Sequence, residues 1–130
     1  IHPRIIAKYG LPERSVAFAV GLSALPDSQI VRPSRVGTMP AAVQDVALIV
    51  DQSVTALDVE KALRSGAGDL LESIALFDRY DKIGDGKISL AFTLTFRAPD
   101  RTLTGAEVSA MREAAVVAAE KATGAVLRTA

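Results

Sequence analysis

The stretch from Ile88 to Arg97 constrains this chain more than any other. Ile88, Leu90, Phe92, Leu94 and Phe96 alternate without a break against Ser89, Ala91, Thr93, Thr95 and Arg97. A period of two with one large apolar set and one small or polar set describes a strand with one buried and one open face. Such a strand needs partners at its edges and a layer over its apolar side. Residues 43–50 repeat the pattern, with Val46, Leu48 and Val50 on one face and Asp45, Ala47 and Ile49 on the other. Residues 73–79 read as a third strand, joined to residues 88–97 by a turn at residues 81–86.

The covering layer has its own signals. Thr55-Ala56-Leu57-Asp58 and Thr104-Gly105-Ala106-Glu107 each place a threonine where its hydroxyl caps a first-turn N–H, with an acid three residues on. The first helix is expected to end after Leu63, at Gly66 and Gly68. The second is long, with Val108, Met111, Ala115, Ala118 and Ala122 at helical spacing and Gly124 as its stop. Residues 125–129 supply a last strand. The order β-α-β-β-α-β predicts an α+β, ferredoxin-like split βαβ fold, a four-stranded antiparallel sheet with two helices on one face. Those helices should cover Val46, Leu48, Ile74, Leu76, Leu90, Phe92 and Leu94. The open face then carries Asp45, Ala47, Ala75, Ser89, Ala91 and Thr93, side chains small enough to be solvated or to let a flat partner such as a base approach the backbone.

The part before Pro40 differs. It holds five basic residues (Arg4, Lys8, Arg14, Arg32, Arg35) against two acidic (Glu13, Asp27), whereas the rest holds ten and thirteen. Residues 3–9 read as a short helix, Gly10-Leu11-Pro12 as a break and residues 16–25 as one strand. Pro26-Asp27-Ser28 and residues 32–40 favour turn or extended backbone and mark a boundary. One strand cannot fold alone. Residues 1–35 are therefore expected to be the tail of a preceding module plus a linker, and residues 36–130 a complete domain. The start at Ile1, with neither methionine nor a leader pattern, suggests a segment of a longer protein.

Composition narrows the chemistry. With 49% hydrophobic and 23% charged positions in 130 residues, a packed core is expected rather than a disordered tail. Apolar runs such as residues 46–50 are short and fall far below the ~20 residues that cross a bilayer, so a soluble chain without a membrane partner is expected. Without cysteine there are no disulfides, thiolate metal sites or cysteine nucleophiles, and His2 alone cannot make a histidine metal site. Fifteen basic against fifteen acidic residues leave no global positive field, so a DNA partner is not expected and any RNA contact must be local.

Asp81, Asp85 and Gly86 occupy the first, fifth and sixth places of a calcium loop, but Ile83 and Phe92 stand where the third and twelfth ligands belong, so the segment reads as a hairpin turn. Gly84 and Gly86 are too few for a phosphate-cradling loop. Asp78 and Asp81 read as solvated carboxylates rather than a general acid/base pair. No catalytic or metal-binding set emerges. In Phe77-Asp78-Arg79-Tyr80, two of the chain's six aromatic residues flank an acid at a strand end. An aspartate accepts from a guanine edge and an aromatic ring stacks on an unpaired base. The same residues also suit a packing role, with Phe77 in the core and Tyr80 at the sheet edge.

Five blocks together resemble a known family: Pro40-Ala41-Ala42-Val43-Gln44-Asp45-Val46-Ala47, Leu76 through Tyr80, Lys87 through Phe92, Arg101-Thr102-Leu103-Thr104-Gly105-Ala106-Glu107-Val108, and Leu127-Arg128. In this order and spacing, over residues 36–130, they look like the ferredoxin-fold anticodon-binding domain that ends the beta chain of bacterial phenylalanyl-tRNA synthetase. Residues 1–25 resemble the end of the synthetase-like module before it. The resemblance implies a non-catalytic tRNA-recognition module of an ATP-dependent, cytoplasmic ligase. Its partners would be the tRNA(Phe) anticodon and an alpha chain in an α2β2 heterotetramer. ATP and Mg2+ would serve the whole enzyme, and no cofactor this segment.

Carried over position by position, the family's tRNA contacts fall on Ala47, Asp78, Tyr80, Ser89 and Arg128. On strict alternation Asp78 and Tyr80 share parity with core-facing Ile74 and Leu76, so placing them on the open face requires a bulge or strand end near Phe77. Gln44 and Ile88 stand where the family usually carries basic residues, which bears on phosphate affinity more than on base readout. The alternative is a ferredoxin-like protein-interaction or small-molecule regulatory module that dimerises through its sheet, with Gly66-Ala67-Gly68-Asp69 as its ligand loop.

Overall fold

The computed structural model describes residues 1–25 and 37–128. Most of the boundary read at residues 26–40, namely 26–36, lies outside the described residues, as do Thr129 and Ala130. The chain divides into Ile1–Ser34 and Arg35–Ala130.

In the first unit, helix α1 (Pro3–Tyr9) starts at His2, whose ring Nδ1 accepts the Arg4 N–H at 3.2 Å, with proline in the first turn where no N–H is needed. Gly10 ends it at φ +61°, donating its N–H to the Ile6 carbonyl. The expected strand at residues 16–25 does not form. The chain instead reaches a 3-10 turn at Leu22–Ala24, with Val16 and Phe18 85% and 90% exposed. Its apolar alternation finds no second edge among the described residues, and an unpaired strand gains no ladder.

The second unit is the predicted βαββαβ. It runs β1 (Ala42–Asp51), α2 (Ala56–Ala67), β2 (Leu71–Gly84), β3 (Lys87–Phe96), α3 (Gly105–Thr123) and β4 (Val126–Leu127). The sheet order is β2-β3-β1-β4 with every neighbour antiparallel. Val46, Leu48, Val50, Ile88, Leu90, Phe92, Leu94 and Phe96 are buried and form one core with Val59, Leu63, Ala67, Val108, Ala115, Val116 and Ala119 of the helices. Leu76 departs from the expected core: it pairs with buried Phe92 but lies on the edge strand and is 44% exposed. Among the described residues no helix is long and apolar enough to cross a membrane.

Both predicted caps form. Thr55 Oγ1 accepts the Asp58 N–H, and Thr104 and Glu107 close a reciprocal capping box. Glu107 also takes two guanidinium hydrogen bonds from Arg101, at 2.6 and 2.9 Å. These, with the bonds from Thr104, lower its carboxyl to about 2.

Three local details differ from expectation. Helix α2 does not stop at Leu63. It runs through Gly66 to Ala67 and ends at Gly68, φ +78°. Gly66 is a packing glycine, because a Cβ there would lie 2.5 Å from the Ala114 carbonyl oxygen and 2.6 Å from Ala118 Cβ. The hairpin turn is shorter than residues 81–86, with β2 reaching Gly84 and Asp85 (φ +52°) and Gly86 (φ +67°) making the bend. Two successive left-handed residues match the twist of the flanking strands. On α3 the buried stripe is Val108, Ala115, Val116 and Ala119, whereas Ala118 is half-buried and Ala122 exposed.

Candidate nucleic-acid interface

Residues paired across an antiparallel ladder share a face, so the register lays out the open side of the sheet row by row. One row is Ala75, Thr93 and Asp45. The next is Asp78, Ala91 and Ala47, with Arg128 at its β4 end, where the Arg128 N–H bonds the Ala47 carbonyl at 2.8 Å. The third is Tyr80, Ser89, Ile49 and Val126. A bulge in β2 makes this arrangement possible. The ladder steps from Leu76 opposite Phe92 to Asp78 opposite Ala91, leaving Phe77 as the extra residue. One inserted residue reverses the parity of everything after it. Asp78 and Tyr80 therefore stand on the open face although Ile74 and Leu76 do not.

The five residues singled out from the sequence thus meet on one face in two adjacent rows. Asp78 and Arg128 are exposed at opposite ends of their row, about three strand spacings or roughly 14 Å apart, with Ala91 and Ala47 as a flat floor between them. Tyr80 is 45% exposed at the end of the next row. Ser89, carried over as a tRNA contact, is almost covered. At 3% exposure it lies between the larger Tyr80 and Ile49, which shade a small side chain in a pleated row. Sequence reasoning did not single out Asp45, Ile49 and Val126 as site residues. Parity alone put Asp45 and Ile49 on this face, whereas the place of Val126 depends on the β4 register.

Asp45 accepts a hydrogen bond from Thr93 Oγ1 across the strands at 2.7 Å. Asp51, farther along the face, is held by Ser53, whose hydroxyl and N–H both donate to its Oδ1, and these bonds lower its carboxyl below the usual range.

The loop suggested for a regulatory ligand is absent as such, since Gly66 and Ala67 are helical. Asp69 borders a cleft with Thr38, Glu72 and Arg97. There Arg97 already pairs with Glu72 at 3.0 Å and donates to the Met39 carbonyl.

Open four-stranded sheets receive single-stranded bases by stacking them on aromatic side chains, and this face offers one aromatic ring, Tyr80, beside a floor of small residues. The model of the ferredoxin-fold anticodon binding domain family matches residues 37–128. The chain belongs to this family. Phenylalanine–tRNA ligase beta subunits resemble this anticodon-binding domain chain over almost its whole length. Identity is 51% over 133 residues for Streptomyces avermitilis, covering 99% of the chain. It is 50% over 131 residues for Thermobifida fusca and 52% over 134 residues for Nocardia farcinica, each covering 98%. The chain spans 16% of the length of each of these relatives.

Proposed function

We propose that this chain is the tRNA(Phe) anticodon-binding module of a phenylalanine–tRNA ligase beta subunit and contributes recognition rather than catalysis to aminoacylation. The observation that carries the reading is the bulge at Phe77, which brings Asp78 and Tyr80 onto the face already holding Ala47 and Ala91. Tyr80 supplies the stacking surface for an unpaired base. Asp78, one row away, is an acceptor-only group suited to the N–H donors of a guanine edge. Ala47 and Ala91 let that base lie close to the backbone, and Ser89 sets the floor beside Tyr80. Arg128, at the far margin, meets a phosphate or a second base edge. The alpha chain of an α2β2 cytoplasmic ligase would carry the ATP- and Mg2+-dependent chemistry, and this module would need no cofactor of its own.

The test is steady-state aminoacylation by the whole ligase. Tyr80→Ala should raise the KM for tRNA by the loss of about 1–3 kcal/mol of stacking while ATP-dependent amino-acid activation stays at the parent rate. An unchanged KM, together with an equal KM in a ligase lacking residues 36–130, would refute the reading. A dimer of the isolated chain in sedimentation, blocked by a charge at Ala91, would favour the regulatory alternative instead.

A further inference from the structure

We propose that Asp45 is a second base-reading group, accepting a hydrogen bond from the exocyclic amine of an anticodon base that neighbours the one received at Asp78. The proposal rests on the anticodon reading above. The Ala75–Thr93–Asp45 row lies two residues along each strand from the Asp78–Ala91–Ala47 row. That is roughly 7 Å along the strands and, with two strand spacings across the sheet, roughly 12 Å from Asp78 to Asp45, a span that the edges of two adjacent, splayed bases can bridge. Ala75 and Thr93 continue the small floor beneath it.

The Asp45 carboxylate is oriented in advance. Thr93 Oγ1 donates to Oδ1 at 2.7 Å, and among the described residues nothing donates to Oδ2. The Asp51 carboxylate on the same face is instead built into its own turn through Ser53.

Charge decides which part of an RNA this row would face. From the Asp45 row to the Asp51 row, the register positions of the open face hold three acids, Asp45, Asp51 and Asp78, against two cations, Lys87 and Arg128. Arg128 and Asp78 stand at opposite margins and Lys87 is paired with Asp51 at the turn end, so among these positions the centre offers a phosphate no cation and, at Asp45, one carboxylate. A strand lying there turns its bases toward the sheet and its backbone outward. An ionised carboxylate only accepts, which selects amines and ring N–H groups. Anticodons that pair with UUU and UUC carry adenine at their second and third positions, and adenine's donor is its exocyclic amine.

The experiment measures kcat/KM of the whole ligase with tRNA transcripts carrying adenine, or purine without the amine, at the second or third anticodon position. Parent, Asp45→Asn, Thr93→Val and Tyr80→Ala enzymes are compared. Asparagine keeps an acceptor for Thr93 but offers an N–H₂ toward the base, so Asp45→Asn should lose roughly tenfold on the adenine transcript. The loss should vanish on one of the two purine transcripts. Thr93→Val leaves the carboxylate but frees it to rotate, and should show a smaller loss with the same transcript dependence. If Tyr80→Ala raises KM while Asp45→Asn matches the parent, or if the Asp45→Asn loss is equal on all transcripts, Asp45 is only a sheet staple and the proposal fails alone. If neither variant changes KM, the anticodon reading itself fails.

Discussion

Replacing Gly66 by alanine tests whether the two helices need their close approach. Inside an ordinary helix the change would stabilise by about 1 kcal/mol, because glycine loses more backbone freedom than alanine. Here the added methyl would sit 2.5 Å from the Ala114 carbonyl oxygen, 2.6 Å from Ala118 Cβ and 2.9 Å from Ala115 Cα. Carbon atoms rest at about 3.5–4.0 Å, so α2 and α3 must part by roughly 1 Å. Two of the three obstructing atoms are backbone, which no rotamer change can move aside. The seam being opened includes Ala62, Leu63, Ala67, Ala115 and Ala119, each under 10% exposed. Overpacking of this kind costs about 1–3 kcal/mol. Set against the propensity gain of about 1 kcal/mol, the net expectation is a loss of up to about 2 kcal/mol, a fall in Tm of up to roughly 16 °C for a domain of this size. Thermal unfolding followed by circular dichroism reads it directly. Gly105→Ala is the control, since nothing lies within 4 Å of a Cβ there and the change should be neutral or mildly stabilising. A Gly66→Ala chain as stable as the Gly105→Ala chain would refute the packing argument.

Further outcomes follow from single contacts. At the hairpin, Gly86→Ala forces a side chain into φ +67° and should cost about 1–2 kcal/mol in denaturant titration, whereas Asp85→Asn, a residue at home in that turn, should be neutral. The Glu107 carboxyl is lowered to about 2, first by its hydrogen bond with Arg101 and then by those with Thr104. A lowered carboxyl adds stability above the ordinary glutamate range that disappears as pH falls through about 2. Arg101→Ala should therefore flatten the acid limb of stability against pH in that window and leave the neutral-to-alkaline shape unchanged. Arg128→Ala should weaken tRNA binding by a similar factor across anticodon variants and reduce the slope of log affinity against log salt by about one phosphate.

Much of the fold was legible because it depends on near neighbours. The Ile88–Phe96 alternation, the Thr55 and Thr104 caps and the αL stop at Gly124 each report a local preference that a few adjacent residues satisfy, and each stands in the structure as read. The stripe on α3 was misjudged because its alanines are nearly equivalent in hydrophobicity. Only the seating of α3 against α2 and the sheet selects Ala119 over Ala122. Gly66 resembled a stop in sequence, since nothing local distinguishes a glycine that ends a helix from one that admits a neighbouring helix. The apolar run at Val16–Leu25 had the composition of a strand, but pairing is a property of two segments and the second is not present among the described residues.

The site divides in the same way. Composition placed small residues on one face of β1 and β3, and alternation was enough to predict that face. Bringing Asp78 and Tyr80 onto it took one inserted residue, Phe77, and a bulge is decided by how β2 settles its hydrogen bonds and twist against β3. The burial of Ser89 behind Tyr80 and Ile49 likewise exists only once three strands lie side by side, and the bond that orients Asp45 only once β1 and β3 are paired. Sequence by itself determined which residues could form strands, helices and caps, because those choices are made within a few residues. Tertiary structure alone decided which side chains share a surface, because neighbours across a sheet are set by register and not by order along the chain.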